Sequence, residues 1–329
     1  MRVIVLTMKQ QSWVIAQVSR KTAYWNLDNI SRTDAYFRFY KRHPEIKWPF
    51  LASMVSRNAG YNMTDLHSSC FAAALGSHLR EELFLTYEAA NWLIFSDAYP
   101  QLLIYEYSKY LGLPLFPLLE AFDISPFMVR EWEKFWATRD QNRLMVSLII
   151  NEQHLIDVPV IGHPVFKTRV FTSFAYRFQD LFHFSTVLFP TRKGELYGFS
   201  VYRFKNIGSR INLGKKLARL LFDSRWNQAF YRFACSVPHT GSRYDYEQFF
   251  HEKRKRQTPM LRMVCPAVPH HIDEAKRKWF HGQNLSAYYK EPAMDHRAEL
   301  TDWFRKKRNE LQMISYVKEF MDKQKGAGR

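Results

Sequence analysis

With 329 residues, 47% of them hydrophobic and 16% aromatic, the chain can bury a large aromatic-rich core, and its length suits one large domain or two. No run of about 18 apolar residues argues for a membrane-spanning helix, and three widely spaced cysteines (Cys70, Cys235, Cys265) argue against a disulfide framework or a structural zinc site. A net charge of +17 favours a polyanionic partner such as nucleic acid, anionic lipid or an acidic protein.

The start, "MRVIVLTMKQQSWVIAQV", has only a short apolar patch, broken by Lys9, Gln10 and Gln11, with no small-residue cleavage site. It does not read as a signal peptide, so a cytoplasmic protein is expected. "SRTDAYFRFYKRHP" reads as a helix that opens at Ser31, with Asp34 in near capping-box spacing, and closes before Pro44. Trp48, Leu51, Ala52 and Val55 recur with helical spacing. In "MVSRNAGYNMTDL" (54–66), Gly60 reads as the cap that ends this helix and Thr64 as the N-cap of the next. Capping does not need all of Arg57, Asn58, Asn62 and Asp65, which makes them candidate ligand-binding residues.

"REELFLTYEAANWLIFSDAYPQLLIYEYSKYLG" predicts two helices, broken near Asp97–Pro100 and capped at Gly112. Ser125 and Pro126 mark the N-cap and first position of another helix. Residues 139–157 predict a further helix, with a stripe of Leu144, Leu148 and Leu155 on which Asn151 falls and which Glu152 borders. Asn91 joins the stripe of Phe84, Tyr87 and Ile94, and Asp97 follows three residues after Ile94. Buried amides and carboxylates cost free energy unless hydrogen-bonded, so they need partners, with Arg57 or Arg243 as candidates. The plain reading is a network that holds helices in register. The functional one makes Asp97 and Glu152 catalytic acid/base candidates and Asn151 a ligand-binding one.

Between 158 and 205, "FTSFAYRFQDLFHFSTVLF" suits a helix, whereas "GELYGFSVYRF" suits a short strand pair or a helix start. "RINLGKKLARLLF" and "WNQAFYRFACSVP" return to helical spacing. In "PHTGSRYDYEQFF" (238–250), Ser242 and Asp245 have near capping-box spacing. Alternatively, His239, Thr240, Ser242 and Arg243 surround the unpaired N–H groups of a helix start and bind an anion there, with His239 as a third catalytic candidate. There is no GxxxxGK[ST], GxSxG or HExxH, and His270 and His271, being adjacent, do not share a helix face. No cofactor or metal is expected.

From residue 250 onward, 18 Lys and Arg stand against 10 Asp and Glu, so this quarter of the chain carries nearly half of the net charge. The runs are "HEKRKRQ", "AKRKWF" and "WFRKKRNE". Trp279, Phe280, Trp303 and Phe304 among these cations suit backbone charge with base stacking, although no nucleic-acid-binding motif is recognisable. Leu300, Trp303, Phe304, Leu311 and Ile314 form an apolar stripe for docking on the domain or on an anionic membrane. The expected architecture is mainly α: an N-terminal segment (1–24), a single large helical domain (25–250) and a basic helical C-terminal extension (251–329) with a disordered end, "DKQKGAGR".

"SRTDAYFRFYKRHPEIKWPFLASMVSRNAGYNMTDL", "NWLIFSDAYPQLLIYEYSK", "LIINEQ", "RINLGKKLARLLF" and "PHTGSRYDYEQFF", in this order, resemble a domain-of-unknown-function family of spore-forming Gram-positive bacteria, over roughly residues 25–250. The resemblance implies a cytoplasmic bacterial protein; it implies no reaction, cofactor or site residue. Three functions stay open: binding of an anionic ligand or nucleic acid, which the charge favours; an enzyme with acid/base residues in a helical cleft; and a structural or interaction protein. The sharpest spatial expectation is that 56–65, 151–153 and 239–245 meet.

Overall fold

A computed structural model describes residues 6–162, 186–200, 205–252, 256–270, 278–293 and 298–327, with the last helix described only as backbone for most positions after 313. The fold is mainly α. The sequential helices are α1 (Met8–Trp25), α2 (Asn29–Arg42), α3 (Trp48–Asp65), α4 (Ser69–Ala74), α5 (Ser77–Leu111), α6 (Pro126–Thr138) and α7 (Gln141–Ile156). A two-stranded hairpin, β1 (Thr186–Pro190) and β2 (Leu196–Ser200), precedes α8 (Ile207–Leu221), α9 (Asn227–Ser236) and the final helix α10 (Thr301–Ala327).

Caps account for several boundaries. Asp28, not Ser31, is the N-cap of α2, its carboxylate accepting from the N–H of Ser31 at 2.7 Å. Ser125 caps α6 with Pro126 behind it, and Gly112 closes α5 in the left-handed conformation, as the sequence indicates. Two expected breaks are absent. α3 runs unbroken through Gly60 and Thr64, and α5 runs unbroken through Pro100. Proline removes one helical hydrogen bond, but Phe95, Tyr99, Leu102 and Leu103 around it are buried, and that packing holds the helix together.

α2 and α3 lie against each other and, with α5 to α8, enclose the main core. Trp48, Phe50, Phe95, Tyr105, Phe116 and Trp132 are among its large buried rings. α7, with the wider turn Asp157–Ile161 that follows it, is long and apolar enough to cross a membrane. Most of that stretch is buried inside the fold, so it serves as the central core helix.

The "FTSFAYRFQDLFHFSTVLF" helix expected over 171–189 lies mostly outside the described residues; its last residues form β1. The hairpin has both edges covered. On one side 298–300 pairs with β2, through Gly198 N–H to Ala298 O and Leu300 N–H to Leu196 O, both 2.8 Å. On the other, the Asn58 amide takes the place of a neighbouring strand: its Nδ2 donates to Thr186 O (3.2 Å) and its Oδ1 accepts from Leu188 N (3.0 Å).

Residue 250 is not a break in packing. Trp279 stacks on His154 with ring centroids 4.4 Å apart, Phe280 packs on Phe127, and Phe304 is buried between Tyr246 and Phe250. Leu311 shares an apolar cluster with Phe71 of α4 and with Leu75, which follows it. α10 continues to Ala327, over the described part of the tail expected to be disordered. Lys253, Arg254, Lys255, Lys276, Arg277 and His271 lie outside the described residues.

Candidate functional site

Polar side chains recur along α3 on both sides of Gly60, and Ser56, Arg57, Asn58, Asn62, Thr64 and Asp65 are all buried. Gly60 is there for close approach. A Cβ at this position would overlap Asn29 Oδ1 and come within 2.9 Å of His239 Nε2. Asn29 Nδ2 donates to the Ser56 carbonyl (2.8 Å) and hydroxyl (3.0 Å), so its Oδ1 accepts from His239 Nε2–H at 2.8 Å. With the proton on Nε2, Nδ1 is a bare acceptor facing another acceptor, Asp245 Oδ2, at 3.6 Å. Burial pulls the imidazole down to about 4, against the opposing pull of Asp245, so His239 is neutral at neutral pH.

Next to it lies a hydrogen-bonded buried ion pair. Arg243 donates from Nε to Asp65 Oδ2 (2.6 Å), from Nη1 to Tyr246 Oη (2.8 Å) and from Nη2 to Asn62 Oδ1 (2.9 Å). Burial works against its charge, but the Asp65 carboxylate more than offsets that and holds it protonated. Arg308 of α10 completes the group, 3.5 Å from Asp65 and 3.3 Å from Glu247. All three nitrogens of the Arg243 guanidinium are thus engaged within the chain.

In the 238–245 loop, where a helix-start anion site was expected, the N–H groups of Thr240, Ser242, Arg243 and Tyr244 are taken up within the chain. Thr240 N–H and Oγ1–H both donate to the Asp245 carboxylate, Ser242 N–H donates to Thr240 Oγ1, Arg243 N–H to Thr258 Oγ1 and Tyr244 N–H to Ser242 Oγ. The helix that follows is only Tyr244–Glu247.

Arg57 differs. It is 6% exposed and donates from Nη2 to the Val237 (2.8 Å) and Ala234 (3.4 Å) carbonyls, yet no carboxylate among the described residues pairs with it. Its Nη1, the Tyr61 hydroxyl and His239 Nδ1 are buried without a hydrogen-bond partner there. Burial and the nearby Asp245 push the Tyr61 phenol well above its ordinary value, opposed by Arg57.

Arg57 and His239 form part of the wall of a cavity of about 610 Å³ bounded by the end of α1, by α2 and by residues 234–239. Lys41 and Arg262 are the other cations in the wall, and Asp34 its carboxylate. Arg262 is paired with Asp28 at 2.7 Å, and Asp34 with Arg38 at 2.7 Å. Tyr24, Trp25, Leu27 and Phe37 supply apolar surface, and Ser31, Thr33 and Ser236 hydroxyls.

The second group of candidates lies elsewhere. Asp97 Oδ1 accepts from Gln101 and Asn151, each at 2.6 Å, and Asn151 Oδ1 accepts from Ser125 Oγ (3.2 Å) and Trp279 Nε1 (3.0 Å). Glu152 accepts from Trp48 Nε1 at 3.1 Å and from Gln153 at 3.2 Å. Burial pushes Glu152 up to about 7, the two donors pulling the other way. Trp48 begins α3 and Asp65 ends it, some ~25 Å along the axis. Segments 56–65 and 239–245 therefore meet as expected. Asn151 and Glu152 bond to neither, and neither Arg57 nor Arg243 is their partner.

The family described as "Protein of unknown function (DUF2515)" matches residues 25–305. The chain belongs to this family. It is also similar to the "Uncharacterized protein YppC" of Bacillus subtilis (strain 168), 48% identical over 310 residues, which covers 94% of this chain and 97% of that protein. No solved structure matches it. The DUF2515 match reaches 305, so it takes in Arg262, Trp279 and Phe304 as well as the segment up to 250. Sequence reasoning reached Arg57 and His239 in the cavity wall but passed over Asn29, Lys41, Arg262, Tyr24 and Trp25. The signal for Asn29 was spacing: Ser56, Gly60 and Thr64 fall on one face of α3, and a small residue on a buried polar face marks a crossing partner.

Proposed function

We propose that this DUF2515 protein binds a small anionic ligand, bearing phosphate or carboxylate, in the cavity at Arg57. The supporting observation is a buried guanidinium that no carboxylate among the described residues neutralises, forming part of the wall of a cavity of about 610 Å³. An uncompensated buried charge is costly, and a ligand anion offsets that cost. The aromatics that base stacking would require in the C-terminal extension are packed against the core at Trp279, Phe280 and Phe304, which favours a small ligand over a nucleic-acid strand. Of the three catalytic candidates, only His239 lines this cavity; Asp97 and Glu152 do not. Cytoplasmic residence fits three free cysteines, of which Cys235 is exposed.

The test is thermal unfolding in rising phosphate or citrate, with ionic strength held constant by chloride. A ligand at a hundred times its Kd adds about 2.7 kcal/mol to stability. The parent should gain stability with a saturating dependence, and Arg57→Met should not. An equal response in both proteins, or none in the parent, sinks the reading.

A further inference from the structure

The cavity is larger than an inorganic anion requires, and its wall combines a buried cation with exposed aromatic surface. At about 610 Å³ it falls within the range of pockets that hold organic ligands, roughly 300–1,000 Å³. Its buried wall holds Arg57 and Thr33 beside the apolar Phe37 and Val237. Its exposed wall carries Tyr24 (71%) and Leu27 (55%), with Trp25 beside them, together with Lys41 and Arg262. Single exposed hydrophobic residues are ordinary on a protein surface. Here they line the same cavity whose wall holds Arg57, which no carboxylate among the described residues pairs. The Tyr24 and Trp25 rings meet edge to face, at 5.2 Å and 86°, an arrangement that stiffens both while leaving Tyr24 mostly open to solvent. The guanidinium of Arg38 lies 5.6 Å from the Trp25 ring centre and backs this pair.

Resting on the anion reading above, we infer that the ligand is a nucleoside 5′-phosphate: a phosphate placed toward Arg57 and a planar base against Tyr24 and Trp25. An exposed aromatic face takes any base, since every base has a π surface, whereas the buried cation accepts only the charged end. The hydroxyls of Ser31 and Ser236, also in the wall, suit a sugar.

Calorimetric titration of the full chain tests this with three probes: inorganic phosphate, the four ribonucleoside 5′-monophosphates, and the matching nucleosides. At least one monophosphate should bind about tenfold or more tightly than phosphate, the gain expected from one base on an aromatic platform. Tyr24→Ala with Trp25→Ala should erase that gain and leave phosphate affinity within about twofold, since neither ring is placed at the anion. Arg57→Lys should weaken monophosphate and phosphate together. Phosphate binding with no gain from any base overturns the nucleotide assignment and leaves the anion reading standing. Nucleosides binding as tightly as their monophosphates, or no binding by phosphate and monophosphates alike, overturns both. Circular dichroism of each variant separates lost binding from lost folding.

Discussion

Arg57 and Arg243 are two buried arginines within a few turns of each other in the fold, and their surroundings are opposite. Arg243 points three nitrogens at Asp65, Tyr246 and Asn62, with Arg308 and Glu247 extending the pairing. Arg57 has two backbone carbonyls, no carboxylate among the described residues, and a cavity beside it. Both cost desolvation on folding; the Asp65 carboxylate offsets it for Arg243, whereas no carboxylate among the described residues does so for Arg57. A charge paired with a buried carboxylate is therefore part of the architecture, and one beside a cavity without such a partner is where a ligand's charge is worth most.

The strongest way to break this comparison is to truncate both. Arg243→Met leaves Asp65 buried with only the more distant Arg308, and should cost about 3–5 kcal/mol in chemical denaturation. Arg57→Met strands no carboxylate and loses two hydrogen bonds to carbonyls, so about 1–3 kcal/mol is expected. Equal losses would mean that Arg57 is as much a structural group as Arg243.

A second contrast separates the two ends of α3. Glu152, beside Trp48, is pushed up to about 7 from an ordinary 4.5, whereas His239, beside Gly60, is pulled down to about 4 from 6.5. Between about pH 4.5 and 7 the folded protein holds a proton on Glu152 that the unfolded chain has lost, so this group's contribution falls as pH rises. Between about pH 6.5 and 4 the unfolded chain takes up a proton that buried His239 refuses, so that contribution falls as pH drops. Each spans at most about 3 kcal/mol, and in the parent the two nearly cancel. Relative to the parent, Glu152→Gln should gain stability as pH rises through its window, and His239→Gln as pH falls through its own. Difference curves of the same sign, or flat ones, would show that the burial of these groups does not govern their titration.

The sequence made the helical class legible because apolar spacing repeats over most of the chain, and Ser125 and Gly112 state their boundaries directly. It misplaced the two central interruptions for one reason. Gly60 and Pro100 are local stop signals, and packing overrode both: Pro100 lies among buried rings, and Gly60 serves a crossing partner rather than a turn. The polar residues of 56–65 were recognisable as excess to capping, but their partners come from residues some 180 positions away, such as Arg243 for Asp65 and Val237 for Arg57. No spacing rule contains that pairing. The same distance explains the extension: Trp279 and Phe304 look like free aromatics among cations until Asn151, His154 and Tyr246 are seen against them.

Gly60 gives the finest discrimination, because its substitution has two opposed physical effects. In an open helix, Gly→Ala stabilises by up to about 1 kcal/mol through backbone entropy and propensity. Here the added methyl would strike Asn29 Oδ1 and sit 2.9 Å from His239 Nε2. Asn29 cannot easily give way, since its amide is tied to Ser56 at both the carbonyl and the hydroxyl. Overpacking of this kind costs about 1–3 kcal/mol, so Gly60→Ala should destabilise. In an Asn29→Ala background the overlapping atom is gone, and the cost of Gly60→Ala should shrink by at least about 1 kcal/mol, read as the coupling in a double-mutant cycle. A stabilising Gly60→Ala would mean that the Asn29–His239 bond does not cross α3 at this point, and the tautomer argument for His239 would fall with it.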